Sequence, residues 1–397
     1  MSMLLFMPWC AIDKDYNVGD IDILPFDRRG NINGLDDDAQ RSSKTIMATY
    51  KDLKGRPIQK ACIIHYAGKS LIDDLTNDEI EIAQDLAVIA CFAGLANREF
   101  FNSLGLYCNS DCFSLYIQKF EKTDFIALMI RRREGRTMSV WPIDDLTITI
   151  PIHCNSIREV VLDAGLLKAL VDHRSQLKNG EWGKWQNAIS CFNQANTDSD
   201  NIRYQMEWVL LCSAFEHILG ADSKAKDVAS KLAGAFVPSE EFMATDAIRL
   251  SEQQKNDGKS VRYEWMREFY RIRGDFAHGK LTTEQPATWN PLEHLFLATI
   301  AFPLLVKSLL NKAGKYKLTD SEQAQIDSFE KFADTPDFLQ PPPNQKSSMD
   351  SHWIRLRAES SRKIRKIAVE RALMQPGEIF APDQRQCPEE SSDEENR

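Results

Sequence analysis

An arginine and a histidine separated by four residues, Arg273 and His278, are the side chains of this chain best suited to chemistry. A guanidinium is permanently charged and matches a phosphate in shape, and an imidazole can move a proton near neutral pH. These two groups together are enough to cut RNA without a metal ion. The spacing permits this chemistry but does not establish it, because arginine and histidine are common residues.

The helix that must position them is predicted over residues 260–278. Its apolar side chains recur at spacings of four, three and four, and this stripe is predicted to face the core. The stripe consists of Trp265, Phe269, Ile272 and Phe276. At the helical rotation per residue, Arg273 lies about 100° from the stripe and about 140° from His278. A straight helix therefore does not bring the two side chains together.

Two glycines and a second arginine offer other arrangements. Gly274 is a poor helix former and could let the last turn deform, and Gly279 is placed to stop the helix and free His278 from helical geometry. Alternatively, Arg271, Asp275 and His278 share one continuous face, where Asp275 could orient the imidazole. The alternative is that these residues have no function, and that Arg271 and Asp275 simply form an ion pair on the helix surface.

The motif in which these residues occur resembles a known family. A helix ending in Tyr-x-x-Arg-x-x-x-x-His-Gly is formed here by Tyr270, Arg273, His278 and Gly279. It is similar to the hallmark of the HEPN superfamily, and within it of the Apea-like HEPN proteins. Upstream, residues 208–220 resemble the family's long first helix, with Glu216 near its end, and residues 225–236 resemble its second helix. The resemblance covers roughly residues 156–315.

This resemblance implies a metal-independent endoribonuclease that leaves a 2′,3′-cyclic phosphate and works as a homodimer, with both motifs lining one cleft. In that role Arg273 stabilises the charge on the phosphorus oxygens, and His278 moves the proton of the 2′-hydroxyl or of the leaving 5′-oxygen. Arg271, Asp275, Glu216 and Tyr270 would support the site. The resemblance further implies antiphage defence by abortive infection, with a phage-derived or nucleic-acid trigger.

Two alternatives remain open at this point. The first is a non-catalytic HEPN module that dimerises or binds RNA and partners without cutting. Gly274 favours it, because the residue after the arginine is usually polar in the superfamily. The second is a toxin that a separate antitoxin holds inactive.

The charge of the chain limits how it could contact RNA. The net charge is −9, which argues against a protein coated in nucleic acid, so any contact must be local. Candidate RNA-binding residues are Lys280 and an arginine cluster of hairpin-tip composition, Arg131, Arg132 and Arg133. A solvated hairpin tip is the commoner explanation of that cluster.

The order of patterns along the chain predicts an α+β fold: an N-terminal mixed α/β domain with an antiparallel sheet, then an all-α HEPN helical bundle and a basic C-terminal helix. The predicted units are a sensor or regulatory domain (1–155), the helical domain (156–315), a Pro-containing linker (316–351), the basic helix (352–376) and an acidic disordered tail (377–397).

The helices and strands are predicted from the period of the apolar residues and from the capping and turn residues between them. Strands are predicted at 21–26, 62–66, 112–120, 125–130, 137–141 and 146–153. Helices are predicted at 76–104, 157–178, 182–194, 200–220, 223–236, 260–278 and 290–313. Thr76 or Asn77 is the predicted N-cap of the first helix.

Nine cysteines, mostly in apolar runs, predict reduced and buried thiols in a cytoplasmic protein. Met1–Ile12 lacks a basic start and fails as a signal peptide, and no apolar run is expected to reach the length of a membrane span. Cys108 and Cys112 have no second pair at zinc-like spacing. Phosphate-binding glycine loops and catalytic-triad signatures are also missing, so no cofactor or metal is expected.

Overall fold

The protein is a mixed α+β structure in which an antiparallel sheet is followed by helices, as the sequence predicts. The computed structural model describes residues 2–30, 37–69, 73–100, 106–120, 125–142, 145–156, 159–222, 224–279 and 287–339. The predicted basic helix and acidic tail lie outside these ranges.

Among the described residues of the first half of the chain there are nine strands. They are β1 (Ser2–Met7), β2 (Tyr16–Val18), β3 (Ile21–Asp27), β4 (Tyr50–Lys51), β5 (Lys60–Tyr66), β6 (Tyr116–Phe120), β7 (Phe125–Arg132), β8 (Gly135–Pro142) and β9 (Ile148–Thr149). Seven of them form one antiparallel sheet in the order β2-β3-β5-β1-β6-β7-β8, and β4 pairs with β9 in parallel.

The helices are α1 (Asp37–Met47), α2 (Asn77–Ala96), α3 (Ala164–Gln176), α4 (Asn179–Ala195), α5 (Tyr204–Leu219), α6 (Ala225–Ala235), α7 (Glu252–Asn256), α8 (Val261–Ala277), α9 (Pro291–Lys312) and α10 (Asp320–Ala333). The predicted cap of α2 is confirmed, because the side chains of Thr76 and Glu79 form a reciprocal capping box. Helix α2 ends at Ala96 rather than at residue 104.

Strand β1 occupies the middle of the sheet, where both of its faces are buried. It pairs with β5 on one side and β6 on the other. Leu5 contributes to the large core under the helices, whereas Leu4 and Phe6 contribute to a smaller core shared with α1 and β4. Burial on both faces explains why this segment is apolar without alternation.

One continuous core joins the sheet to the helices. The ring of Phe92 on α2 packs edge-on against Phe192 of α4 and Phe302 of α9, with centroids 5.4 and 5.8 Å apart. Helix α2 thus lies between the sheet and the helical layer. The boundary predicted at residue 155 separates two segments of sequence that share this core.

The segment predicted as a linker, residues 316–351, contains a packed helix. Helix α10 begins at a capping box between Thr319 and Glu322, and it buries Ile326, Phe329 and Phe332. The linker prediction is therefore wrong for this part of the segment. The prolines that suggested it follow the helix instead of interrupting it.

Two predicted strands are shorter than expected. Residues 112 and 113 of the strand predicted at 112–120 belong instead to a 3-10 turn, Ser110–Phe113, and the strand predicted at 146–153 is reduced to β9. Around this turn the side chains of Asn109 and Asp111 form hydrogen bonds with His153, Asn155 and Thr197.

Helix α9 is long and apolar enough to cross a membrane by length and composition, contrary to the expectation that no apolar run reaches that length. It is the only such helix among the described residues. Of the apolar window, 72% is buried inside the protein, which is the burial expected of a helix that packs in a core.

Candidate functional site

The candidate site lies on helix α8, which ends where the sequence predicts. All four residues of the apolar stripe are buried, and they fix the orientation of the helix. The backbone N–H of His278 donates to the carbonyl of Gly274 at 3.1 Å, and Gly279 then adopts a φ of +81°. A left-handed φ favours glycine, so Gly279 ends the helix and leaves His278 exposed at its C-cap.

Arg273 belongs to a polar group that we call the Arg273 cluster, formed by Arg273, Tyr270 and Glu216. The Tyr270 hydroxyl donates to Glu216 Oε2 at 2.6 Å, and Arg273 Nη1 donates to the same hydroxyl at 3.3 Å. Arg273 Nη2 lies 3.6 Å from Glu216, and the guanidinium lies over the tyrosine ring at 5.3 Å from its centroid. The arginine predicted to bind phosphate is thus held by Tyr270 and Glu216, two of the four residues predicted to support the site.

Helix α5 brings Glu216 to this cluster because it runs antiparallel to α8. Near the start of α5, the indole N–H of Trp208 donates to the carbonyl of Phe269 at 2.8 Å. Its ring packs edge-on against Phe276 at 5.2 Å. Glu216, two turns further along α5, therefore lies opposite Tyr270. The half-buried Glu216 and Arg273 retain 21% and 28% side-chain exposure, so solvent reaches the cluster.

The structure does not bring Arg273 and His278 together by deforming the last turn. Helix α8 stays regular through Gly274, so deformation at this glycine, one of the arrangements that the sequence left open, does not occur. The Arg273 guanidinium is directed toward Tyr270, one helical turn closer to the N-terminus. His278 lies five positions after Arg273, in the opposite direction along the helix. At the rise of an α-helix this is about 7.5 Å along the axis. Arg271 and Asp275 are half-buried on the same helix.

Gly274 supplies a test of this geometry. A methyl group added at Gly274 would meet nothing within 4 Å, and the residue is helical. Gly274→Ala is therefore expected to raise the free energy of unfolding by about 0.5–1 kcal/mol, measured by urea denaturation. Gly94→Ala is the opposing control, because its methyl would lie 2.5 Å from Phe113 and should destabilise the protein. Destabilisation by Gly274→Ala would contradict a regular last turn.

The arginine cluster belongs to the sheet rather than to the helices that carry the Arg273 cluster. The arginine cluster forms the predicted hairpin tip: β7 and β8 pair up to Arg132 opposite Gly135, and Arg133 is exposed in the turn. Arg131 pairs through its backbone within the same hairpin. Lys280 lies outside the described residues.

A cavity of about 630 Å³ opens at the start of α5 and reveals a residue that the sequence analysis missed. Its lining includes Asp198, Tyr204 and Glu207. Tyr204 packs edge-on against Phe276, so the cavity adjoins the end of α8 that carries His278. Burial, and then the charge of Asp198, raise the pKa of Glu207 to about 7. No local motif marks Glu207, because burial and a neighbour nine positions away cause the shift.

The raised pKa of Glu207 makes stability depend on pH. The folded protein holds the proton more tightly than the unfolded chain, whose carboxyl titrates near 4.3, so stability is lost as pH rises from there through about 7. Glu207→Gln should be more stable than wild type by about 1–2 kcal/mol at pH 8, after discounting for solvent screening. The advantage should vanish near pH 4 in thermal melts. Asp200→Asn, at an exposed position, is the control. If the stability difference between Glu207→Gln and wild type were the same at pH 4 and pH 8, the raised pKa of Glu207 would be refuted.

A buried carboxylate on α8 was also missed. Glu268 accepts hydrogen bonds from the backbone N–H groups of Thr288 (2.9 Å) and Trp289 (3.2 Å), and from His294 Nε2 (3.0 Å). Burial would raise its pKa, but these bonds and the nearby imidazole outweigh it, and the pKa is lowered. Glu268 thereby holds Thr288 and Trp289, which follow the motif in sequence, against α8.

The comparisons with known proteins provide no relative. Neither the protein-family models, nor the curated proteins, nor the solved structures include a match to this chain. Within the described ranges, no three His, Cys, Asp or Glu side chains are grouped as metal ligands would be.

Proposed function

We propose that this protein is a metal-independent endoribonuclease of the HEPN type, with Arg273 and His278 as its catalytic residues. The observation that carries the proposal is the Arg273 cluster: the motif arginine is fixed by Tyr270 and Glu216, while the motif histidine stands exposed at the helix end. A surface arginine with no role would not need two partners to set its direction.

In the proposed reaction His278 removes the proton from a ribose 2′-hydroxyl, and the resulting alkoxide attacks the adjacent phosphorus. The phosphorus–5′-oxygen bond breaks, and a protonated group, the second histidine of a dimer, supplies the proton to the leaving oxygen. Arg273 stabilises the charge on the non-bridging oxygens. Glu216 lies only 3.6 Å from the guanidinium, so an incoming phosphate would compete with this carboxylate for Arg273.

We propose a homodimer because one chain separates the two catalytic groups by five residues along a regular helix. A second copy placed with its motif in the same cleft would supply the missing neighbour. Tyr204, Met206 and Leu292 support such an interface: they are 37%, 55% and 66% exposed. They lie near the end of the bundle where α5 begins, since Tyr204 packs on Phe276 and Trp208 on His294.

A non-catalytic module that binds RNA or partners is the second candidate. The contact of Arg273 with Glu216 favours it, because an arginine already paired with a carboxylate and lying over an aromatic ring has a structural role available. Phosphate binding would then have to displace a partner that is present in the free protein.

For the biological role we propose RNA cleavage in antiphage defence, triggered by a phage-derived or nucleic-acid signal that the N-terminal sheet region senses. This role is supported by the family resemblance alone. A toxin restrained by an antitoxin would use the same chemistry.

The test is cleavage of end-labelled RNA by the purified protein in excess EDTA. We expect products ending in a 2′,3′-cyclic phosphate. The same strand with 2′-O-methyl groups should resist, because the attacking hydroxyl is blocked. Cleavage of the methylated strand would contradict the mechanism, and binding without cleavage across several RNAs would favour the non-catalytic module.

A further inference from the structure

Two cysteines far apart in sequence bring their sulfur atoms together. Cys112, in the 3-10 turn after α2, and Cys154, between β9 and α3, have Sγ atoms 3.5 Å apart. Cys112 is buried, while Cys154 is half-buried and so partly open to solvent. A disulfide bond is about 2.05 Å long, so the sulfur atoms need to approach by only about 1.5 Å.

The surroundings hold this pair in place. Cys112 Sγ lies 3.2 Å from the carbonyl of Asn155 and 3.4 Å from Asn109 Oδ1. The Asn109 amide donates to the carbonyl of His153 at 2.5 Å, and the N–H of Asn155 donates back to Asn109 Oδ1 at 3.2 Å. The residues on both sides of Cys154 are therefore bound to the side chain that contacts Cys112.

We infer that Cys112 and Cys154 form a reversible disulfide when the protein meets a hydroperoxide such as hydrogen peroxide. The inference does not depend on the proposed ribonuclease activity. Disulfides that form in cytosolic proteins are usually transient, and they are catalytic or sense oxidants.

The reaction proceeds in two balanced steps. The solvent-accessible Cys154 sulfur attacks one peroxide oxygen, the O–O bond breaks, and the thiol proton leaves with the other oxygen as water. Cys112 then attacks the resulting sulfenic acid on Cys154: the S–S bond forms, the S–O bond breaks, and a second water leaves with the Cys112 proton. In the reduced protein the hydrogen bond from Cys154 lowers the pKa of the Cys112 thiol, and the same bond and burial raise the pKa of the Cys154 thiol. The exposure of Cys154, rather than its pKa, therefore makes it the sulfur that meets the peroxide first.

The disulfide would reinforce a junction between the sheet and the helices. Next to Cys112, Asp111 accepts a hydrogen bond from Thr197 at 2.8 Å, and Asn109 donates to Asp198 at 3.0 Å. Thr197 and Asp198 lie at the start of the loop that leads into α5, the helix that carries Glu216. Closing the Cys112–Cys154 bond is therefore expected to raise the melting temperature of the oxidised protein by several degrees.

A second sulfur pair provides an internal control. Cys10 and Cys62 are both fully buried and lie close enough for their hydrogen bond to raise the pKa of the Cys10 thiol. They are neighbours, as Cys112 and Cys154 are, but neither is open to solvent. In the folded protein this pair should stay reduced at peroxide concentrations that oxidise the other.

The experiment treats the full-length protein with hydrogen peroxide, blocks the remaining thiols, and maps linked peptides by mass spectrometry. We expect a Cys112–Cys154 link that dithiothreitol reverses, together with the rise in melting temperature. Cys112→Ser and Cys154→Ser should each abolish the link and the shift, whereas Cys191→Ser should retain both. Absence of the link in the folded wild type, or an equal yield of a Cys10–Cys62 link, would overturn the inference.

Discussion

Replacement of His278 by glutamine is expected to lower the rate of RNA cleavage about 10²- to 10⁴-fold. Glutamine keeps the size and hydrogen-bonding capacity of the side chain but cannot take up and release a proton near neutral pH. Because His278 is exposed and lies after the last helical residue, the change should leave stability and RNA binding nearly unaltered. The measurement is single-turnover cleavage, with RNA affinity measured on the same preparations.

His217 provides the matched control for this prediction. It is also an exposed histidine in the last turn of a helix, but it lies on α5 and has no part in the proposed reaction. His217→Gln should cleave RNA at the wild-type rate. Equal losses in the two variants would show that the effect is not specific to the motif, and an active His278→Gln protein would remove His278 from the mechanism.

Replacement of Glu268 by alanine is expected to lower the free energy of unfolding by about 3–5 kcal/mol. The change leaves the partly buried N–H group of Thr288 and the buried N–H group of Trp289 without their acceptor. It also removes the partner of His294, whose ring is fully buried and whose Nδ1 has no hydrogen bond. Burial lowers the pKa of His294, so the ring is neutral and donates through Nε2. Urea denaturation at pH 7 gives the value.

Two further variants sharpen this prediction. Glu268→Gln retains one acceptor oxygen and should lose less stability than the alanine variant. Glu252→Ala breaks an ion pair with Lys255 in which the glutamate side chain is 86% exposed, and it should cost less than about 0.5 kcal/mol. A loss below about 1 kcal/mol in Glu268→Ala would contradict the role assigned to this carboxylate.

The parts of the fold that sequence could predict are those set by local chemistry. The cap at Thr76, the apolar stripe of α8 and the stop at Gly279 depend on residues within a few positions of one another, and all three are confirmed. The hairpin turn at Arg133 is likewise predicted from the residues next to it in sequence. Helix α10 was missed because the prolines after it dominated the interpretation, although the capping box at Thr319 marks its start.

The candidate site likewise contains contacts that local sequence predicts and contacts that only the fold creates. The contact between Tyr270 and Arg273 follows from helical spacing, since residues three apart share a face. Glu216 contacts Tyr270 and Arg273 across 54 and 57 positions, and the family resemblance implied only that Glu216 supports the site. The hydrogen bond between Glu268 and His294 spans 26 positions, and neither helical spacing nor the family resemblance could predict it. Only the packing of α9 on α5 and α8 brings the histidine to Glu268.

The choice between Arg273 and Arg271 as phosphate-binding residue is the most direct test of the proposed site. Cleavage of one RNA in excess EDTA should be measured for wild type, Arg273→Ala and Arg271→Ala. We predict a loss of about 10²- to 10³-fold for Arg273→Ala and little change for Arg271→Ala. The reverse order would place the phosphate on the continuous face with Asp275, and undiminished cleavage by both variants would contradict the assignment of the motif as the active site.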